Sequence, residues 1–172
     1  AEGNNDIALN TAISKENMTS LRENCDKAEE WGAQISYSAY SSLRTGDTSL
    51  SISGEEDLRT LRAAIDELQE MKRAGRRIRN TPAILENTFG FFRDGGVPGC
   101  KAGYRFLLVT PEGYHRPCAH KRLKYGSQKE LIENFSRDNN CGGCYVAIRS
   151  YCDKSYYDLT REQIIARLIH QT

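Results

Sequence analysis

The chain has 172 residues, with 24 basic and 23 acidic side chains and a formal net charge of +1. This length suits one domain or two small ones, and the balance of charge argues against a global field that attracts nucleic acid. No apolar run reaches the roughly 20 residues that a membrane-spanning helix requires, and nothing resembles a signal peptide. We therefore expect a cytoplasmic protein that binds neither nucleic acid nor a membrane.

Strand-like and helix-like segments alternate over the first 93 residues. In chain order they are a strand at 7–13, a helix from a cap at Ser14 to Trp31-Gly32, a strand at 33–40, a loop over 41–54, a helix from a Ser53–Glu56 capping box to about Gly75, and a helix from Thr81-Pro82 to Phe92. Cys25 lies on the apolar stripe of the first helix, which predicts a small core residue. This alternation is typical of a parallel α/β unit.

A turn-rich linker, residues 94–99, marks a change in composition. A β-hairpin should follow, with strands at 104–110 and 114–117 and a tight turn at Gly113. Two capping pairs, Ser127 with Glu130 and Thr160 with Gln163, predict two later helices, the second of them amphipathic. We therefore divide the chain into a β/α part, residues 1–93, and a small α+β part with the hairpin, residues 94–172.

Four cysteines of the second part have a spacing that indicates a metal site. Seventeen residues lie between Cys100 and Cys118, which flank the hairpin, and Cys141 and Cys144 form a Cys-x-x-Cys pair. Four soft thiolates hold either an iron–sulfur cluster or zinc, and zinc usually takes two close pairs. The wide first pair favours the cluster. Three disulfides among the six cysteines remain an alternative, and Cys152 is either a replacement ligand or a buried thiol.

The pattern Cys100-x₁₂-Gly113-x₄-Cys118, followed by Cys-x-x-Cys, resembles the auxiliary-cluster module of radical S-adenosylmethionine (SAM) enzymes, called the SPASM or Twitch domain. The strand at 9–13 and the helix that ends at Trp31-Gly32 also resemble later β/α units of a radical SAM barrel. The small number of cysteines fits the single-cluster Twitch type. The Cys-x₃-Cys-x₂-Cys motif of the family, which holds the SAM-cleaving cluster, does not occur in the sequence.

The resemblance implies a partial (β/α) radical SAM-type barrel over residues 1–93 and an auxiliary [4Fe–4S] cluster on Cys100, Cys118, Cys141 and Cys144. The chain would be the C-terminal portion of an oxidoreductase or maturase, inactive alone. SAM and a second [4Fe–4S] cluster would belong to a half that precedes Ala1. The auxiliary cluster would transfer electrons or position a small-molecule or peptide substrate. The alternatives are a structural zinc-binding interaction module without redox chemistry and a small ferredoxin-like electron carrier. The sequence assigns no catalytic residue.

Polar residues on the two apolar strands are candidates for cofactor binding. The carboxyl ends of barrel strands carry the chemistry, so Asn10, Ser38 and Tyr40 are predicted to contact SAM or substrate. Basic residues around the hairpin predict a docking surface for an acidic substrate or for an electron-donor protein such as a ferredoxin or flavodoxin. These residues are Lys101, Arg105, Arg116, Lys121, Arg122 and Lys124, with His115 and His120 among them. Four tyrosines, Tyr145, Tyr151, Tyr156 and Tyr157, are expected to cover the cluster.

Overall fold

The protein is described by a computed structural model that covers residues 7–152, 156, 157, 160 and 164. Helices and small sheets give it a mixed α/β fold, as expected from the sequence. The elements are β1 Ala8–Ile13, α1 Leu21–Glu30, β2 Gln34–Ala39, α2 Glu55–Arg73, α3 Pro82–Arg93, β3 Leu108–Val109, β4 His115–Arg116, α4 Gln128–Leu131 with a π-helical turn Ile132–Ser136, and α5 Ala147–Cys152. Among these residues, no helix combines the length and the apolar character that a membrane crossing needs.

Strands β1 and β2 are parallel neighbours joined through α1. Their register pairs Leu9 with Ile35 and Ile13 with Ala39, and an isolated parallel bridge joins Ile35 to Ile78 beyond β2. Two consecutive β/α crossovers therefore lead from β1 to β2 and from β2 to this bridge. The described residues form two small sheets and no barrel.

The parallel sheet has an apolar face and a polar face. Ile13, Ile35 and Tyr37 are buried against the helices in one core, which the alternation of a strand allows. Asn10 lies on the opposite face, where its amide nitrogen donates to Ser38 Oγ over 3.2 Å. Ser36 on the same face donates to Asn10 Oδ1 over 3.1 Å.

Asn80, two residues after the bridge at Ile78, completes the hydrogen bonding of β2. Its Oδ1 accepts from the Tyr37 backbone N–H over 2.7 Å, and its Nδ2 donates to the Tyr37 carbonyl over 2.8 Å. The side chain is 1% exposed. The buried side-chain amide of Asn80 therefore makes the two hydrogen bonds to the Tyr37 backbone that a neighbouring strand would otherwise make.

Two of the predicted helix starts are wrong. Helix α1 begins at Leu21 and not after Ser14, because the side chain of Asn17 accepts from Ser14 N and donates to Ala12 O, both over 2.9 Å. This local bonding competes with the first helical turn. The capping box at Ser53 is absent too, since α2 has Gly54 as its N-cap, at φ +86° and without a side-chain bond.

Other local predictions are confirmed. Thr81 Oγ1 accepts from Ile84 N at the start of α3, whose first residue is a proline. Ser127 caps α4 in the same way, and Cys25 is fully buried. The hairpin is present, but its strands have only two residues each. Gln163 and most of the predicted final helix lie outside the described residues, whereas α5 was not predicted.

The two halves of the chain meet at the carboxyl end of β2. Ala39 N donates to Tyr145 O over 3.2 Å, and Ser41 Oγ donates to Gly143 O over 2.7 Å. Tyr145 is buried in the same core as the sheet. The Cys141–Cys144 loop is therefore fixed directly to the end of the parallel strands.

Candidate metal centre

Cys100, Cys118, Cys141 and Cys144 line a single cavity. Three separate segments bring them there: the end of the 94–99 linker, the residues after β4, and the loop before α5. The rest of the wall is largely apolar, with side chains from Leu43, Phe106, Phe135, Val146 and Ile148. The four cysteines singled out by their spacing in the sequence therefore line one cavity.

Asn139 ties two of these segments together. Its Nδ2 donates to the carbonyl of Cys100, and its Oδ1 accepts from the backbone N–H of Cys141, both over 3.1 Å. The residues it joins are far apart in the chain, so the side chain acts as a cross-link between them. It fixes the backbone at two of the four candidate ligands.

A turn after Cys118 directs a backbone donor at its sulfur. The amide of Lys121 donates to Cys118 Sγ over 3.4 Å. Such N–H donors stabilise negative charge on a thiolate and tune the group it binds. The hydrogen bond therefore suits Cys118 as a negatively charged thiolate ligand.

The glycines of the Cys-x-x-Cys loop allow it to pack on the linker. Val97 N donates to Gly142 O over 2.9 Å, and a Cβ at Gly142 would lie 3.3 Å from Val97 O. At Gly96, where φ is +148°, a Cβ would come within 2.9 Å of Gly142 O. Two backbones meet here with no room for side chains.

Arg149, from α5, is buried beside Cys144. The side chain is 0% exposed, and it donates to the carbonyls of Cys144 over 2.6 Å and Pro98 over 3.1 Å, and also to Val97 O. The pKa of the Cys144 thiol is raised, chiefly by burial and also by nearby Cys100 and Cys118, while the charge and a hydrogen bond of Arg149 lower it. The guanidinium therefore offsets part of the cost of forming the thiolate at this buried position.

The thiols line the cavity without meeting around one ion position. In the described ranges, no group of three or more His, Cys, Asp or Glu side chains is arranged to hold a single metal ion. No disulfide joins the cysteines, all six of which are described. Cys152 is not among the residues that line the cavity; its carbonyl accepts from Arg105.

The three predicted cofactor-binding residues lie in two places. Asn10 and Ser38 are hydrogen-bonded on the polar face of the sheet. The Tyr40 hydroxyl instead contacts the 41–54 loop, where it donates to Asp47 O over 2.9 Å and lies 3.1 Å from Thr45 Oγ1. The first two therefore share a surface, and Tyr40 supports the loop that carries Leu43.

The prediction that four tyrosines cover the site is wrong, since none of them is among the residues that line the cavity. Tyr156 is 85% and Tyr157 is 74% exposed, so neither shields the cavity. Tyr145 is buried in the sheet core, and the Tyr151 hydroxyl donates to Arg79 O over 3.2 Å. The apolar wall of the cavity is built by other residues.

The basic residues around the hairpin differ in their surroundings. Lys121 and His120 line the cavity, and Lys101, Arg122 and Lys124 are exposed. Arg116 donates to the carbonyl of Lys121 over 3.0 Å and so has a structural contact. The positive charge thus begins at the cavity and continues onto the surface beside it.

Two glycines with similar backbones predict different effects of the same substitution. Gly103 has φ +89° and Gly113 has φ +85°; a Cβ at Gly103 would fall on Ser136 Oγ and Leu131 Cδ2, whereas Gly113 faces open space. We expect Gly113→Ala to cost about 1–2 kcal/mol of unfolding free energy from backbone strain, and Gly103→Ala to cost about 1–3 kcal/mol more from overpacking. Urea unfolding measures both. Equal losses would show that contact at Gly103 does not matter.

Sequence reasoning missed Arg149, Asn139 and the lining role of His120. For Arg149, the only signal in the sequence is its position directly after the apolar run Tyr145-Val-Ala-Ile. Asn139, two residues before Cys141, has the position of a side chain that caps a turn. Neither pattern names the distant partner, so neither could assign the residue to the site.

Comparison with known proteins adds no relative. No family model, no curated protein and no solved structure matches the chain.

Proposed function

We propose that the chain is the C-terminal portion of a radical SAM oxidoreductase or maturase and that its cavity holds an auxiliary [4Fe–4S] cluster. The observation that carries this proposal is the single cavity lined by Cys100, Cys118, Cys141 and Cys144. Four thiols in a largely apolar wall are the donor set of such a cluster. They sit beside the carboxyl end of β2, where a parallel α/β unit presents its chemistry.

The residues of the chain have distinct roles in this proposal. The four thiolates are the ligands, Asn139 and Arg149 fix the loops that carry them, and Lys121 N–H faces one ligand sulfur. When bound, the cluster supplies one-electron transfer. The apolar wall limits access of water to it, which helps to set its potential.

The parallel strands belong to the same proposal as part of a (β/α) barrel. Asn10 and Ser38 form a polar pair on the face opposite the helices, and this face would contact SAM or substrate. The motif that binds the SAM-cleaving cluster is not in this sequence. Radical chemistry would therefore require another segment or chain, with electrons from a donor protein such as a ferredoxin or flavodoxin.

The metal content of the chain, purified without oxygen, tests the auxiliary cluster. We expect about four iron and four sulfide per chain, as a [4Fe–4S] group requires, with a brown colour. Cys100→Ala, Cys118→Ala, Cys141→Ala and Cys144→Ala should each lose most of the iron, because each removes a ligand. Cys152→Ala and Cys25→Ala are matched controls, because these two cysteines lie outside the cavity, and both variants should retain the iron.

Three results would contradict the proposal. Stoichiometric zinc without colour would leave the alternative of a structural zinc-binding interaction module. Neither iron nor zinc, together with six oxidised cysteines, would indicate disulfides. Loss of iron in Cys152→Ala with retention in Cys144→Ala would show that the ligand set is wrong.

A further inference from the structure

His120 has a buried polar atom that lacks a partner at the wall of the four-cysteine cavity. Its ring lines the cavity together with the thiols. Its Nδ1 is buried and has no hydrogen-bond partner among the described residues. Nearly all buried polar atoms of native proteins have a partner, because an unpaired one loses its hydrogen bonds to water without replacement. A group bound in the cavity is the obvious candidate for that partner.

The position of His120 follows from the turn after Cys118. The amide of Lys121 bonds to Cys118 Sγ, so residues 118–121 wrap around that sulfur. His120 lies inside this turn, and both His120 and Cys118 line the cavity. The turn therefore brings the histidine and a candidate ligand to the same cavity.

We infer that His120 is a positioning residue of the metal centre, with Nδ1–H donating a hydrogen bond to a sulfur of the group bound in the cavity. This inference rests on the proposed function. Four thiolates already complete the ligand set of a [4Fe–4S] cluster, which leaves the imidazole to act as a donor. Hydrogen bonds to the sulfurs of a cluster make it easier to reduce, because they stabilise the added negative charge.

An imidazole in either protonation state can carry an N–H on Nδ1. The ring therefore has the donor that this role requires.

The midpoint potential of the cluster-loaded chain tests the inference. We expect His120→Leu to retain iron and sulfide and to shift the potential to a more negative value, because a donor to sulfur is lost. His120→Asn places an amide N–H near the position of Nδ1 and should restore most of the shift. His115→Leu is the matched control, since His115 Nδ1 is also buried with no hydrogen-bond partner in the described part of the chain, but His115 does not line the cavity.

The possible results separate this inference from the proposed function. A wild-type chain that binds no iron contradicts the proposed function itself. Iron at wild-type level with an unchanged potential in His120→Leu overturns the role of the histidine alone. Loss of iron in both His120→Leu and His120→Asn, with His115→Leu unaffected, would indicate that His120 is a metal ligand. That result would also overturn its proposed role as a hydrogen-bond donor. An equal shift in His115→Leu would show that the effect is not specific to the cavity.

Discussion

Arg149→Ala is expected to lower the free energy of unfolding by about 3–5 kcal/mol, because it leaves three backbone acceptors without a donor and each unsatisfied buried polar group costs about 1–3 kcal/mol. The guanidinium bonds the carbonyls of Cys144, Val97 and Pro98, and alanine leaves these acceptors without their donor. The free energy of unfolding of a typical domain is only about 5–15 kcal/mol in total. The substitution would therefore remove a large part of the stability of the protein. Urea unfolding followed by circular dichroism measures the change.

Two further variants make this prediction specific. Arg149→Lys keeps the charge but offers fewer donors in another geometry, and we expect it to recover only part of the loss. Arg59→Ala removes an exposed arginine of α2 and should leave the unfolding midpoint unchanged. A loss of less than about 1 kcal/mol in Arg149→Ala, the size of an ordinary surface contact, would show that the site does not depend on this residue.

Asn80→Ala is expected to cost about 2–5 kcal/mol, because it leaves the N–H and the carbonyl of Tyr37 unpaired in the core. Each unsatisfied buried group costs about 1–3 kcal/mol. Both of the bonds that Asn80 makes with Tyr37 are short and buried. The unfolding free energy and the hydrogen exchange of the Tyr37 amide report the same loss, and the exchange should become faster.

Asn80→Asp and Asn87→Ala complete this experiment. Aspartate keeps the acceptor for the Tyr37 N–H but has no donor for its carbonyl, so Asn80→Asp should also be destabilised. Asn87 is exposed on α3, and alanine there should not destabilise the chain because alanine is the better helix former. If the hydrogen-exchange rate of the Tyr37 amide is unchanged in Asn80→Ala, the side chain of Asn80 does not protect the backbone of β2 as a neighbouring strand would.

The parts of the fold that depend on neighbouring residues were predictable. Thr81-Pro82 defines the start of α3 through its own cap, and the alternation of β1 and β2 with helices correctly indicated a mixed α/β fold. The spacing of the cysteines pointed to four thiols that the structure places on one cavity. Their role as cluster ligands stays a prediction.

The parts that depend on distant partners were not predictable. Asn80 acts on Tyr37, 43 residues away, and Arg149 acts on Val97, 52 residues away. No periodicity in the sequence reports such a pair. The predicted start of α1 was wrong for a local reason, because the side chain of Asn17 bonds to the backbone of Ser14 and Ala12 where the first helical turn was expected.

The bonds from Ala39 and Ser41 to the Cys141–Cys144 loop make the sheet and the cavity one cooperative unit. Local opening of a protein breaks contiguous sets of contacts together. Opening the loop would expose the carboxyl end of β2, and fraying of β2 would displace the segment that carries two thiols. Occupancy of the cavity and protection of the sheet amides should therefore rise and fall together.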